Sequence, residues 1–227
     1  MKKVNLFLNA AIFAAIVSFS ACFHASAQTS EPVSTWNFGA QVVSFLKEVD
    51  ANTVNGNITV TDNTGSEATV EMYISVNNNG IRRRRWSDEE IKQELEKSFT
   101  IDVKVEGEKL FVVARPKTNG RQILNISFKI TTPKSINSSL RSVNGGISIK
   151  SLSGSHDIRT VNGSLNVDNI SDTIYGSTVN GGISATNSNG KITLTTVNGS
   201  INISDVSGVI STSTVNGRVT ERNVRRE

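Results

Sequence analysis

Among 227 residues there are one cysteine, two histidines, two tyrosines and two tryptophans. Each scarcity removes a class of explanation. With Cys22 alone, no internal disulfide can form, and stability in an oxidising compartment must come from packing. His24 lies in the N-terminal export signal described below, so His156 is the single histidine of the mature chain. A zinc centre or a Ser-His-Asp arrangement would depend on that one side chain. No aromatic stripe suited to stacking sugar rings is visible, since Tyr175 stands by itself. The paired carboxylates of a glycoside hydrolase are also wanting: the C-terminal third holds only the scattered Asp157, Asp168, Asp172 and Asp205. Neither sign of charge dominates. Losing Lys2 and Lys3 with the signal leaves 22 basic against 20 acidic residues, a poor basis for a polyanion partner. No enzyme activity, cofactor, metal or nucleic-acid partner is expected.

What the chain has in abundance is period. Val-Asn-Gly recurs every 18 residues at Val143-Asn144-Gly145, Val161-Asn162-Gly163, Val179-Asn180-Gly181, Val197-Asn198-Gly199 and Val215-Asn216-Gly217. A fixed period near 20 residues marks a stacked architecture in which each repeat covers the open face of the one before. Within a period, Val197–Thr214 divides into VNGSINISD and VSGVISTST, two halves of nine residues. Each half turns at Gly and then alternates apolar with polar positions, the pattern of a strand with one buried face. Two strands and two turns per 18 residues describe one coil of a β-solenoid.

The inward columns follow from the alternation. One is expected at Val143, Val161, Val179, Val197 and Val215, and a second at Ile147, Leu165, Ile183, Ile201 and Val219. A third runs Ile149, Val167, Ala185, Ile203. The other half-coil supplies Leu152, Ile170 and Val206, then His156, Ile174, Ile192 and Ile210. His156 therefore reads as a structural residue of the first coil. Gly145, Gly163, Gly181, Gly199 and Gly217 are expected at corners of positive φ, which Gly and Asn tolerate best. The preceding Asn column either stacks as an amide ladder or simply suits the turn.

The N-terminal half carries the address and an insertion. Met1-Lys2-Lys3 followed by an apolar run from Leu6 to Phe23 is a bacterial-type export signal. Ala25-Ser26-Ala27 favours cleavage before Gln28, whereas Phe19-Ser20-Ala21-Cys22 offers a looser lipidation site that would attach the protein to a membrane through Cys22. Val54-Asn55-Gly56 repeats the signature once, with Ile58 and Val60 in the inward pattern, as an outlying coil. Strands are predicted around Val70–Val76, Phe99–Val105, Leu110–Ala114 and Leu124–Ile130, closed by Pro133. Ser87-Asp88-Glu89-Glu90 is a capping box that starts a short helix with Ile91 and Leu95 on its apolar face. Arg82, Arg83, Arg84 and Arg85 precede it, either as a solvated run or as a contact for anionic envelope sugars or phosphates.

Thr53–Val60, the helix-bearing insertion, Pro133-Lys134 and the tandem VNG coils together resemble the bacterial putative-adhesin family, a domain of unknown function built from β-strand repeats. The resemblance covers about residues 40–224 and implies a right-handed parallel β-helix at the cell envelope, with no catalytic motif. The expected organisation is a signal at 1–27, a lead-in at 28–52 (mobile over 28–35), the outlying coil plus insertion at 53–134, and solenoid coils with a charged cap at 135–227. The insertion, residues 66–134, is expected to lie between the outlying coil and the main stack and to cover one end. Arg222, Arg225, Arg226 and Glu227 are expected to blunt the other. An exported protein of the periplasm, outer membrane or cell surface, binding an envelope glycan or protein along its side, is the resulting expectation. An envelope-stress or assembly component that docks a protein through the insertion is the alternative, and a carbohydrate-active β-helix enzyme the third.

Overall fold

The computed structural model of the chain describes residues 34–38, 44–63, 67–76, 86–118 and 122–227. The expected export signal, Cys22, and Arg82 to Arg85 lie outside the described residues. Among the described residues the architecture is all-β, with one helix, α1 (Asp88–Ser98). Sixteen strands form one continuous sheet that doubles back on itself. The repeats contribute two parallel series. The first consists of β3 (Ile58–Asp62), β9 (Ile147–Lys150), β11 (Leu165–Asp168), β13 (Ile183–Thr186) and the start of β15 (Ile201–Asn216). The second consists of β2 (Glu48–Asn55), β8 (Asn137–Asn144), β10 (Ser153–Arg159), β12 (Ser171–Asn180), β14 (Asn189–Asn198) and the rest of β15.

The register equals the sequence period. Leu165 pairs with Ile183 and Ile183 with Ile201, so like residues lie over like. Ile147, Leu165, Ile183 and Ile201 face the core from the first series, and His156, Ile174, Ile192, Ile158 and Leu194 from the second, each at most 1% exposed. Stacking similar, mostly β-branched side chains in register suits a pleated surface.

One expected column is reversed. Val143, Val161, Val179, Val197 and Val215 point outward, at 37–73% exposure. The residue before each valine is the one that faces in: Ser142, Thr160, Thr178 and Thr196 are buried, and Thr214 partly so. Their hydroxyls satisfy backbone carbonyls of the preceding repeat. Thr160 donates to the Gly145 carbonyl at 2.8 Å, Thr178 to Gly163 at 2.9 Å and Thr196 to Gly181 at 2.9 Å. A buried carbonyl without a partner is costly, so a hydroxyl inside beats a valine at this corner.

The corner glycines also serve a purpose other than the expected one. None of Gly145, Gly163, Gly181, Gly199 or Gly217 has positive φ. A Cβ on Gly163 would instead stand 2.1 Å from the Gly145 carbonyl oxygen, and one on Gly181 2.0 Å from that of Gly163. Backbone stacks directly on backbone there, and only glycine leaves room. The left-handed corner lies elsewhere, at Ser151, Asn169, Asn187, Asp205 and Asn223, with φ of 49–57°.

The outlying coil stacks directly on the first repeat, with Asn55 opposite Asn144 and Ile58 opposite Ile147. The insertion is therefore not between it and the main stack but beyond it. On one side β7 (Leu124–Thr132) pairs with β3, then β4 (Ala68–Val76), then β1 (Ser34–Phe38); on the other β6 (Lys109–Pro116) pairs with β2, then β5 (Phe99–Glu106). Ser34 and Thr35, within the expected lead-in, thus belong to a paired strand, as do Glu48 to Asn52. The capping box forms, with Glu90 N–H donating to the Ser87 hydroxyl and the Glu90 carboxylate accepting from Ser87 N–H. Ile91 and Leu95 pack onto the core beside Phe99. At the opposite end Glu221 takes the place opposite Ile203 on β16 (Val219–Arg226), outside the core, where Arg226 pairs with it.

Candidate functional site

The corner that carries Val-Asn-Gly builds the most regular surface of the molecule. Its asparagines form the ladder that the sequence left as one of two readings. Asn216 donates through Nδ2 to Asn198 Oδ1 at 2.8 Å, Asn198 to Asn180 at 2.8 Å, Asn180 to Asn162 at 2.8 Å and Asn162 to Asn144 at 2.7 Å. Asn144 continues it to Asn55 at 2.8 Å, joining the outlying coil to the series. All five bonds point the same way, so the amide dipoles add and each bond polarises the next. Alongside runs the exposed valine column, which gives the corner an apolar edge next to an amide edge. Sequence reasoning missed that edge because it placed the valines inside. The signal was present in the buried hydroxyls, since Thr or Ser precedes every Val-Asn-Gly.

Elsewhere the carboxylates have structural partners. Asp157 pairs with Arg159 at 2.7 Å and Arg141 at 3.5 Å. Asp168 accepts from the Asn187 side chain, which with Thr186 and Lys150 holds its carboxyl below the ordinary range. Asp172 accepts from Gly154 N–H at 3.0 Å, and Asp205 from the Asn223 amide at 2.7 Å. Asp172 has φ of 84° in a column that holds Gly154, Gly190 and Gly208, and its bond to the neighbouring repeat offsets that strain. Among the described residues no group of three His, Cys, Asp or Glu is placed to hold a metal ion.

His156 is fully buried, with Nδ1 2.9 Å from the Ser138 hydroxyl and Nε2 facing no polar partner. Loss of solvation pushes its pKa down to about 4, against a smaller upward pull from Asp172. Ser138, His156 and Asp172 are the residue types of a hydrolytic triad. Ser138 is 4% exposed and His156 0%, so both side chains lie in the core. The imidazole fills a core position that Ile174 and Ile192 fill in the next repeats.

Among the described residues no helix is long and apolar enough to cross a membrane. No family model matches the chain. No curated protein matches it either. Solved structures that are similar in part include the following two. A putative cell adhesion protein from Clostridium sporogenes shares 8% identity over 85% of this chain and 98% of its own, with a TM-score of 0.35. A putative adhesin from Bacteroides fragilis shares 13% identity over 89% of this chain and 100% of its own, with a TM-score of 0.32.

Proposed function

We propose that the chain is an exported, non-enzymatic protein of the bacterial envelope or surface, folded as an 18-residue-per-coil β-solenoid and binding its partner along one side. The observation that carries this is the Val-Asn corner, a straight exposed row of valines beside a continuous amide ladder. Contiguous exposed apolar surface rimmed by polar groups marks interaction sites. The hydroxyl column beneath anchors this row, so it meets a partner preorganised, with little ordering cost left to offset.

The test is whole-cell binding by the purified mature protein. Changing Val161→Lys, Val179→Glu and Val197→Lys together alternates charge along the row and avoids stacking like charges. Binding is expected to fall by about tenfold or more, the effect of losing a central apolar contact, with circular dichroism and melting unchanged. Undiminished binding by the folded variant would remove the row from the function.

The alternative is docking of an envelope protein through the insertion. It is favoured by α1, none of whose residues is buried although it sits beyond the last stacked repeat. Cross-linked pull-down from the native envelope separates the two readings. Replacing Arg82 to Arg85 by serine should leave the captured partner unchanged if the valine row binds it, and should lose that partner if the insertion does.

A further inference from the structure

We propose that the cleft at the insertion end of the asparagine ladder is a binding site for a neutral saccharide. It rests on the reading of the protein as an envelope binder and gives that reading a second, chemically defined contact. The cleft measures about 390 Å³ and is lined by Asn55, Asn57, Ser75, Asn125, Ser127 and Asn144, with the Gly56 backbone at its floor. That volume falls within the roughly 300–1,000 Å³ of small-ligand sites. The lining differs from most such sites in having no charged or aromatic side chain, only amides and hydroxyls.

Its position explains why those groups have hydrogen-bonding capacity to spare. Through the stack each asparagine is covered by the next, but at Asn55 the repeat gives way to β7. The Ile126 carbonyl takes over the place of a corner glycine carbonyl, accepting from the buried Thr53 hydroxyl at 2.9 Å. A Cβ on Gly56 would lie 1.9 Å from that oxygen, the same close approach seen along the repeats. The backbone stacking therefore continues into β7 while the amide ladder stops. Asn125 and Ser127, on either side of Ile126, and Ser75 on β4 stand around the gap.

The ladder's polarity decides what it would attract. Asn55 accepts through Oδ1, and its Nδ2 has no partner among the described residues, so the donor end of five aligned amide bonds opens here. Asn57 also uses its Oδ1, accepting from Gly146 N–H at 2.8 Å, which leaves its Nδ2 to donate. Asn125 uses only Nδ2, in a long 3.4 Å contact to the Ser75 hydroxyl, which leaves its Oδ1 to accept. Free donors on Asn55 and Asn57 thus share the cleft with a free acceptor on Asn125. A sugar's vicinal hydroxyls both donate and accept and match this arrangement. An anion would find donors but also the Asn125 oxygen, with no cation among the lining residues to compensate for its lost hydration.

The experiment is titration calorimetry and saturation-transfer NMR on the full mature protein with neutral oligosaccharides and with their sialylated or phosphorylated counterparts. The variant is Asn125→Ala with Ser75→Ala, whose side chains bond chiefly to each other, so the melting temperature should hold. Expected is binding of neutral sugars that weakens by about tenfold or more in the variant, the loss of two to three hydrogen bonds. Retained affinity in the folded variant, a tenfold preference for the acidic sugars, or no binding of any sugar at millimolar concentration would each overturn the proposal. Cell binding lost on changing the valine row would still stand in those cases, so failure of the cleft is distinguishable from failure of the envelope role.

Discussion

Gly181→Ala is expected to cost more than about 4 kcal/mol, a large fraction of the about 5–15 kcal/mol that domains hold in total. The added methyl would lie 2.0 Å from the Gly163 oxygen and 2.6 Å from its carbonyl carbon. Those are backbone atoms of the corner stacked against it, so no rotamer change relieves the clash. The Gly163 carbonyl is also the acceptor for the buried Thr178 hydroxyl, and moving it breaks that bond too. The adjacent Gly182 supplies the control. A Cβ there meets only the Ser200 oxygen, at 3.4 Å. Gly182→Ala should change stability by less than about 1 kcal/mol. Urea or thermal unfolding followed by circular dichroism compares the two, and equal stability would refute the close-approach explanation of the Val-Asn-Gly glycines.

Acidification should weaken the fold through His156 before Asp168, Asp205 or Glu221 contributes. Its folded pKa, about 4, lies below the ordinary 6.5, because burial penalises the charged ring. The unfolded chain therefore takes up a proton near pH 6.5 while the folded chain does not. Stability is fully present above that pH, falls as pH drops, and levels off below about 4, a loss of about 3 kcal/mol. Asp172 acts in the opposite direction and is already included in that shift. Asp168, Asp205 and Glu221 have depressed values and lose their contributions only as pH falls through their lower range. The interval between pH 6.5 and 4 thus belongs mainly to His156. Replacing it with isoleucine, as in the next repeats, together with Ser138→Ala so that no hydroxyl is orphaned, should flatten the stability profile across that interval. A profile as steep as that of the unchanged protein would show that another group is responsible.

The elements read most securely were those whose signal is local or periodic. The Ile147 and Ile149 columns, the His156 position, the strands of the insertion and the Ser87 cap all depend on alternation or on residues within one turn of chain. Val-Asn-Gly was misread at two of its three positions for a shared reason. Alternation shows that neighbours face opposite ways but not which way is in, and a slip of one residue exchanges the faces. Hydrophobicity favoured valine inside. The deciding term was the carbonyl of a glycine 15 residues earlier, which the buried Thr hydroxyl satisfies. Glycine was likewise taken for a residue of positive φ, although its role is room for the backbone of the neighbouring corner.

The sequence by itself determined the class of structure: an 18-residue repeat whose apolar columns can be buried only by stacking, with a capped helix in an inserted strand-rich segment. Tertiary structure decided what the surface offers. It turned the valines outward, linked the asparagines into one polarised ladder, moved the left-handed corner to Asn169 and its counterparts, and ended the ladder at β7 in an open amide cleft. Each of these depends on partners at least 15 residues away along the chain, and sometimes more than 80. The free energy of a buried carbonyl, a missing Cβ or an unfinished ladder is set by the group that stacking brings against it.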